Sequence, residues 1–397
     1  MGHLRYLTAG ESHGPGLTVV MEGLPFGVPL ETQDINPDLS RRQGGYGRGG
    51  RMKIERDQAT IRSGVRHGYT LGSPLTLLIE NRDWINWEQK MAIEPPDVAI
   101  EPVTKPRPGH ADLAGMIKYG TNDLRHILER SSARETTARV AAGAVARKLL
   151  LELGIEIRSR TARIGSISDE PLLEPTDPAS WPWDSVGASP VRAITPEHSD
   201  AMAAEIDAAR EEGSTLGGIF EVVAWGVPIG LGSHVHWDRK LDAKLSQAIV
   251  SINAVKGVEI GPAFANAAAR GHDVHDEIAI DAEHGWTRLN NRAGGLEGGM
   301  TNGQPIIVRG ALKPISTMRR PLRTVDVATL EPTTAHFERS DVCVVPAAGV
   351  IGEAMVALVL ADAMLDKFGG DSLAETKTNA DHFRHTYSIL NKSNENE

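Results

Sequence analysis

The sequence predicts an α+β protein, strands first and helices after, and three observations carry that reading. Short β-like runs at 17–21, 51–55 and 74–79 alternate with glycine-rich loops through the first 80 or so residues, the pattern of antiparallel strands. Helical patterns come later in the chain. Glycine, at 41 of 397 residues, lies above the usual ~7% and calls for many tight backbone positions.

The clearest helix is expected over 132–153. Ser132-Ala133-Arg134-Glu135 reads as a capping box, Ala, Val and Leu follow, and Gly154 supplies the stop. Three more helices are expected over 196–212, 238–251 and 351–368, each bounded by Gly or Pro. Residues 169–190, rich in Pro, Ser and Asp and carrying Trp181 and Trp183, read as a surface excursion. The apolar stretch 350–365 is interrupted by Glu353 and Asp362 and falls short of the ~20 residues of a membrane span, so it reads as a core helix.

Hydrophobic residues at 40% and charged residues at 24% are globular values and exclude a disordered chain, while the net charge of −10 marks a mildly acidic protein. At about 150 residues per domain the length allows two or three units. No boundary is visible, so residues 1–390 are read as one domain and the polar 391–397 as a flexible tail. The single cysteine, Cys343, lies in an apolar run and has no partner for a disulfide or a zinc site, which points to a buried, inert thiol and a reducing, cytoplasmic setting. The first residues carry no apolar signal core, and Tyr6 stands where a myristoylation motif needs Ser or Thr.

Within this acidic chain, residues 40–67 hold eight cationic side chains (Arg41, Arg42, Arg48, Arg51, Lys53, Arg56, Arg62, Arg66) against Glu55 and Asp57, a local excess of +6. Guanidinium groups gathered this way match the oxygens of phosphates and carboxylates; the alternative is a solvated strand face. Only Tyr46 could stack on a base, so a compact polyanionic small molecule fits better than nucleic acid. Gly45-Tyr46-Gly47-Arg48-Gly49-Gly50 satisfies G-x-G-x-x-G but neither follows a strand nor opens a helix, and no acidic residue lies about 20 positions on to hold a ribose. It reads as a loop that presents Arg48 and Arg51 to an anion.

Two histidines sit among small residues, His13 in Gly10-Glu11-Ser12-His13-Gly14 and His110 in Arg107-Pro108-Gly109-His110-Ala111-Asp112. Such settings are expected to leave the imidazole accessible, and a side chain titrating near pH 6.5 can give or take a proton. A merely exposed loop histidine is the plainer reading of each. The stretches His234-x-His236-x-Asp238 and His272-Asp273-x-His275-Asp276-Glu277 have ligand-like spacing, but nothing in the sequence makes either converge on an ion, and no metal is assigned. A second glycine cluster spans 292–303 and is followed by Lys313-Pro314-Ile315-Ser316-Thr317. Glu338-Arg339-Ser340-Asp341 then precedes the run of Cys343, with Arg339 and Asp341 placed to share one strand face.

Taken in order, 10–14, 45–49, 107–112, 129–140, 292–303, 313–317 and 338–341 resemble the signatures of the chorismate synthase family, over about residues 5–370. Residues 155–215 and the tail carry little of the likeness. The resemblance implies a carbon–oxygen lyase that converts 5-enolpyruvylshikimate 3-phosphate to chorismate and phosphate by 1,4-anti elimination, with reduced FMN as cofactor. It also implies a β-α-β sandwich, a helical layer between antiparallel sheets, and a homotetramer.

By the same resemblance FMN would lie against Arg130, Ser131, Ser132, Asn253, Ala254, Gly298, Lys313, Pro314, Ile315, Ser316, Thr317 and Arg339. Arg42, Arg48, Arg51 and Arg134 would meet substrate anions or NADP, with NADPH a reductant that the sequence neither requires nor excludes. His13 would protonate the leaving phosphate, His110 would maintain the protonation state of the reduced flavin, and Asp341 would assist proton removal at C6. Two other classes remain to be separated: a nicotinamide-dependent oxidoreductase would consume reductant stoichiometrically, and a nucleic-acid-binding module would bind polynucleotide with a steep salt dependence.

Overall fold

The computed structural model describes residues 4–49, 56–169, 177–281, 285–337 and 341–388. The 51–55 run, the 391–397 tail, Arg51 and Arg339 lie outside them.

Two antiparallel sheets enclose a layer of helices, the expected β-α-β sandwich. In the first sheet the order is Arg5–Ala9, Gly16–Glu22, Leu75–Glu80, Ala59–Ser63. Alternation sets its faces: Leu17, Val19 and Met21, with Leu75, Leu77 and Ile79, are fully buried on one side. The helix Glu135–Glu152 covers that side. In the second sheet Val255–Ile260, Ile306–Leu312, Gly218–Trp225, Glu156–Ile164 and Ile167–Ser168 follow one another, and the helix Val345–Phe368 lies on the central strand Gly218–Trp225 and its neighbour Glu156–Ile164.

The two long helices meet at Gly143, where a Cβ would stand 2.2 Å from that of Ala354. Glycine inside a helix costs about 0.5–1 kcal/mol relative to alanine. Here it lets the backbones touch and so sets the spacing of the layer. The interruption of the apolar run by Glu353 also has a partner set: its carboxylate, fully buried, takes Arg41 at 2.6 and 2.7 Å, Ser159 at 2.7 Å, and Arg147 and Arg192 at 3.3 Å. Burial would raise this carboxyl, but the guanidinium groups of Arg41, Arg147 and Arg192 outweigh it and hold it at about 2.

Several boundaries differ from expectation. Ser132 is not the N-cap of the long helix: it closes the preceding helix Arg125–Ser131 in extended backbone, its hydroxyl donates to Ser12 Oγ at 3.0 Å and accepts from the Arg134 N–H at 3.4 Å, and the long helix begins at Glu135. Glu135 is taken by Arg139 and Thr8, so the box is never formed. The core helix begins at Val345, because Pro346 occupies its first turn, where a missing N–H is harmless. At 24 residues it is long and apolar enough to cross a membrane, and its burial in the core settles its place. The helix expected from 238 opens at Leu241 after a single 3₁₀ turn, Trp237–Arg239. Pro196–Glu211 is as expected, with Thr195 as its cap.

Three further helices precede the long one or follow the core: Thr32–Gln43, Asp112–Tyr119 and Leu373–Ser388. The first places Arg41 and Arg42 on a helix instead of a basic loop. The excursion before residue 190 is not purely superficial, since Trp181 is buried and stacks on Trp183 at 5.5 Å. Cys343 is buried, and that burial pushes its thiol up to about 11.

Candidate active site

His13 lies in the turn between the first two strands. Gly10 opens that turn at φ +108°, with a would-be Cβ 2.3 Å from the Gly16 carbonyl oxygen, so no other residue fits. The imidazole is not the accessible loop group expected: its side chain is 8% exposed. Nδ1 stands 2.9 and 3.0 Å from the two oxygens of Glu129, and the His13 backbone N–H donates to Glu129 Oε2 at 2.8 Å. Trp87 stacks on the ring at 3.7 Å. Arg125 donates to Glu129 at 2.8 Å and lies over the Trp87 ring at 5.1 Å. Burial acts to raise the Glu129 carboxyl, but its bonds to His13 and Arg125 hold it below the usual range.

His110 is built in the same way. Its Nδ1 is 2.5 Å from Asp112 Oδ1, and Arg107 grips the same carboxylate with two side-chain bonds of 2.8 and 3.1 Å and its backbone N–H at 3.0 Å. Asp112 opens the helix Asp112–Tyr119, a position that favours a negative charge. Against its burial, the bonds to His110 and Arg107 hold this carboxyl well below the usual range. The imidazole itself is 20% exposed, the more accessible of the two.

One wall joins these loops. Ser132 bonds Ser12, Asn253 Nδ2 donates to the Ser131 carbonyl at 3.0 Å, and Lys313 N–H donates to the Ala254 carbonyl at 3.0 Å. The Lys313 ammonium then donates to the Gly109 carbonyl, next to His110, and Arg107 reaches Thr317 Oγ1 at 3.4 Å. Arg130 is pinned to the carbonyls of Thr8 and Gly10 at 2.7 and 3.1 Å. Thr215 holds the Ile315 carbonyl at 2.7 Å, and Leu216 N–H the Val342 carbonyl at 2.9 Å, which ties the 313–317 loop to the segment of Asp341. Asp341 itself is not in a strand; it accepts from Gly49 N–H at 2.6 Å and pairs with Arg48 at 2.9 Å.

Other expected residues are placed differently. Arg42 is buried, donating to Thr136 Oγ1 at 2.9–3.0 Å and to the Ala133 carbonyl at 2.7 Å; Arg134 is buried against Asp57 at 3.0 Å. Both brace the turn that opens the long helix. Gly298, at φ +60° in the Leu296–Glu297 and Met300–Thr301 hairpin, has open space where a Cβ would be. His236 pairs with Asp238 and His272 with Asp273 on the surface, and among the described residues no three His, Cys, Asp or Glu side chains gather as a metal would require. Glu129, Asp112, Trp87 and Arg125 were not singled out from the sequence. Asp112 had a local signal, two positions from His110; Glu129 and Trp87 reach His13 from far along the chain.

An α+β sandwich carrying two imidazole–carboxylate pairs on one polar wall beside an arginine–aspartate pair is the frame of an acid–base enzyme for an anionic substrate. The family model described as chorismate synthase matches residues 4–365. Chorismate synthase of Solibacter usitatus (strain Ellin6076) is 56% identical over 389 residues, 96% of this chain and 98% of that protein. That of Moorella thermoacetica is 58% identical over 373 residues, 93% of this chain and 95% of that protein. A crystal structure of chorismate synthase superposes with a TM-score of 0.80 at 43% identity, covering 97% of this chain and 98% of the other. The chain belongs to the chorismate synthase family. Its function is accordingly that of a chorismate synthase, a lyase of the shikimate pathway.

Proposed function

We propose that 5-enolpyruvylshikimate 3-phosphate is converted to chorismate and phosphate at the wall between His13 and His110, in a single catalytic domain over 1–390 that assembles as a homotetramer in the cytoplasm. The observation that carries the site is the hydrogen-bonded path from Ser12 through Ser132, Asn253 and Lys313 to Gly109, which brings the two histidine loops onto one surface.

The family's cofactor is reduced FMN, and the residues fit it. Asn253 Oδ1 is buried with no hydrogen-bond partner among the described residues, an acceptor suited to the N–H groups of a flavin ring, and Gly298 leaves room for a flat group. Arg130, Ser131, Ser132, Asn253, Ala254, Gly298 and 313–317, with Arg339, would hold it. When bound, reduced FMN supplies an electron-rich ring that stabilises charge developing as the allylic phosphate leaves. His13 gives a proton to the departing phosphate, and His110, oriented by Asp112, holds a proton beside the cofactor. Asp341 assists removal of the proton at C6. Arg48 would supply, with Arg42, Arg51 and Arg134, the positive field for a phosphate and two carboxylates.

Anaerobic assay of chorismate formation with FMN and dithionite tests this reading, which requires product only with reduced flavin. A folded, flavin-binding protein that forms none would sink it. NADPH in place of dithionite decides whether the chain reduces its own FMN, and light scattering decides the tetramer.

A further inference from the structure

We propose that Glu129 is a positioning residue for His13: it accepts the Nδ1 proton, so that Nε2 is the nitrogen His13 offers to the leaving phosphate. This rests on the reading of His13 as the acid on the phosphate side. An ionised carboxylate only accepts, so a ring nitrogen 2.9 and 3.0 Å from its two oxygens must be the donor. When Nε2 gives its proton to a phosphate oxygen, the ring is left neutral with hydrogen on Nδ1, the form that Glu129 already holds.

The clamp is more than a loop brace. Glu129 Oε2 also takes the His13 N–H at 2.8 Å, and the Glu129 carbonyl takes Ser12 N–H at 3.0 Å, so backbone and ring are fixed by one residue. Trp87 fixes the ring plane from its face. Among the described residues, the charged groups close to this turn include Glu129 itself, Arg125, which steadies that carboxylate at 2.8 Å, Lys90, which lies over the Trp87 ring at 5.4 Å, and Glu11, whose carboxylate lies beside Gly14. This is the logic by which a carboxylate sets the tautomer of a catalytic histidine.

The test combines ¹⁵N spectra of the His13 ring in the cofactor-free protein with turnover of four variants: Glu129→Gln, Glu129→Asp, His13→Ala and Glu129→Gln/His13→Ala. The neutral wild-type ring should carry its proton on Nδ1, whereas an amide can donate as well as accept, so Glu129→Gln should bring in the Nε2–H form. In that variant kcat should fall about 10²–10⁴-fold, with KM and FMN affinity within about threefold. Glu129→Asp should keep the Nδ1–H form and recover at least about tenfold of the loss. Added to His13→Ala, Glu129→Gln should cost less than about threefold more. An unchanged ring tautomer in Glu129→Gln, or a loss that adds in full to His13→Ala, would overturn the role of Glu129 alone. Wild-type turnover in His13→Ala would instead overturn the reading of His13 on which it rests.

Discussion

Arg48 and Asp341, 293 positions apart in the chain, form an ion pair, with Nη1 2.9 Å from Oδ2. Asp341 is further held by the Gly49 N–H at 2.6 Å, and the Gly47 carbonyl by Val342 N–H at 2.8 Å, so the glycine loop is zipped onto the segment before the core helix. The zip needs Gly47, whose Cβ would lie 2.9 Å from Ile206 Cγ2 and 3.3 Å from the Cys343 nitrogen. The arginine expected to meet substrate and the carboxylate expected to move a proton are therefore neighbours, and each sets the charge seen by the other.

Arg48→Ala should weaken substrate far more than FMN if Arg48 meets substrate, as proposed, and is not among the residues proposed to hold the flavin. Loss of a charge-assisted contact costs about 1.5–3 kcal/mol, roughly ten- to a hundredfold in affinity. Flavin fluorescence titration and substrate KM measure the two. Equal weakening of both ligands would remove Arg48 from the substrate side.

Gly143→Ala should lower stability although alanine is the better helix former. The added Cβ meets Ala354 at 2.2 Å to Cβ and 2.4 Å to Cα, and the latter cannot swing away. Overpacking of about 1–3 kcal/mol exceeds the ~1 kcal/mol gained in helix propensity. A urea midpoint above that of wild type would show that the helices can separate cheaply.

Acid stability should depend on Glu353. Its folded carboxyl, at about 2, lies below the ordinary 4.5, so its contribution is complete above pH 4.5 and drains away as pH falls toward 2. Glu353→Gln leaves Arg41, Arg147 and Arg192 facing a neutral amide. Removing one side of a buried pair typically costs about 3–5 kcal/mol at neutral pH. Urea unfolding from pH 2 to 6 should show a shallower acid slope in this variant; an unchanged slope would place the acid-sensitive group elsewhere.

His110 should depend on Asp112. Asp112→Asn removes a charge gripped by Arg107 and leaves an amide at Nδ1, so the ring loses its fixed orientation while the 313–317 loop loses one anchor through Arg107 and Thr317. Turnover should fall on the order of 10²–10⁴-fold, as for loss of His110 itself, and FMN affinity should fall only severalfold. Wild-type turnover would return both residues to a structural role.

The early strands and the core helix were legible because the runs at 17–21 and 74–79 and the apolar 350–365 stretch report burial directly, one residue at a time, whereas their arrangement as a sandwich was implied by the family resemblance alone. What was not legible depended on distant partners. Ser132-Ala133-Arg134-Glu135 has the composition of a cap, but Thr8 in the first strand and Ser12 in the turn after it compete for its side chains. The Thr32–Gln43 helix is polar and contains Pro37, so no pattern announced it; it is held by packing on the long and core helices. His13 looked accessible among small residues because the groups that bury it, Trp87 and Glu129, come from 74 and 116 positions on. The two loop histidines and the 313–317 segment stood out, whereas the carboxylates that orient them did not.

Asp341 is the residue for which position and chemistry diverge most. Its contacts to Arg48 and Gly49 are enough to make it a pure brace for the glycine loop, and a brace predicts a different outcome from a proton acceptor. Asp341→Asn separates the two. Asparagine keeps the shape, and its carbonyl oxygen can still accept from Gly49 N–H, but it takes no proton at neutral pH and offers Arg48 no charge. If Asp341 assists removal of the C6 proton, FMN and substrate should bind within a few-fold of wild type. Turnover should then drop, and the deuterium isotope effect at C6 should grow as that step becomes limiting. If Asp341 only braces the loop, the loss should appear in substrate KM through a displaced Arg48, with the isotope effect as in wild type. Measuring substrate KM, flavin affinity and the C6 isotope effect on the one variant therefore decides between them, and unchanged values in all three would take Asp341 out of the site.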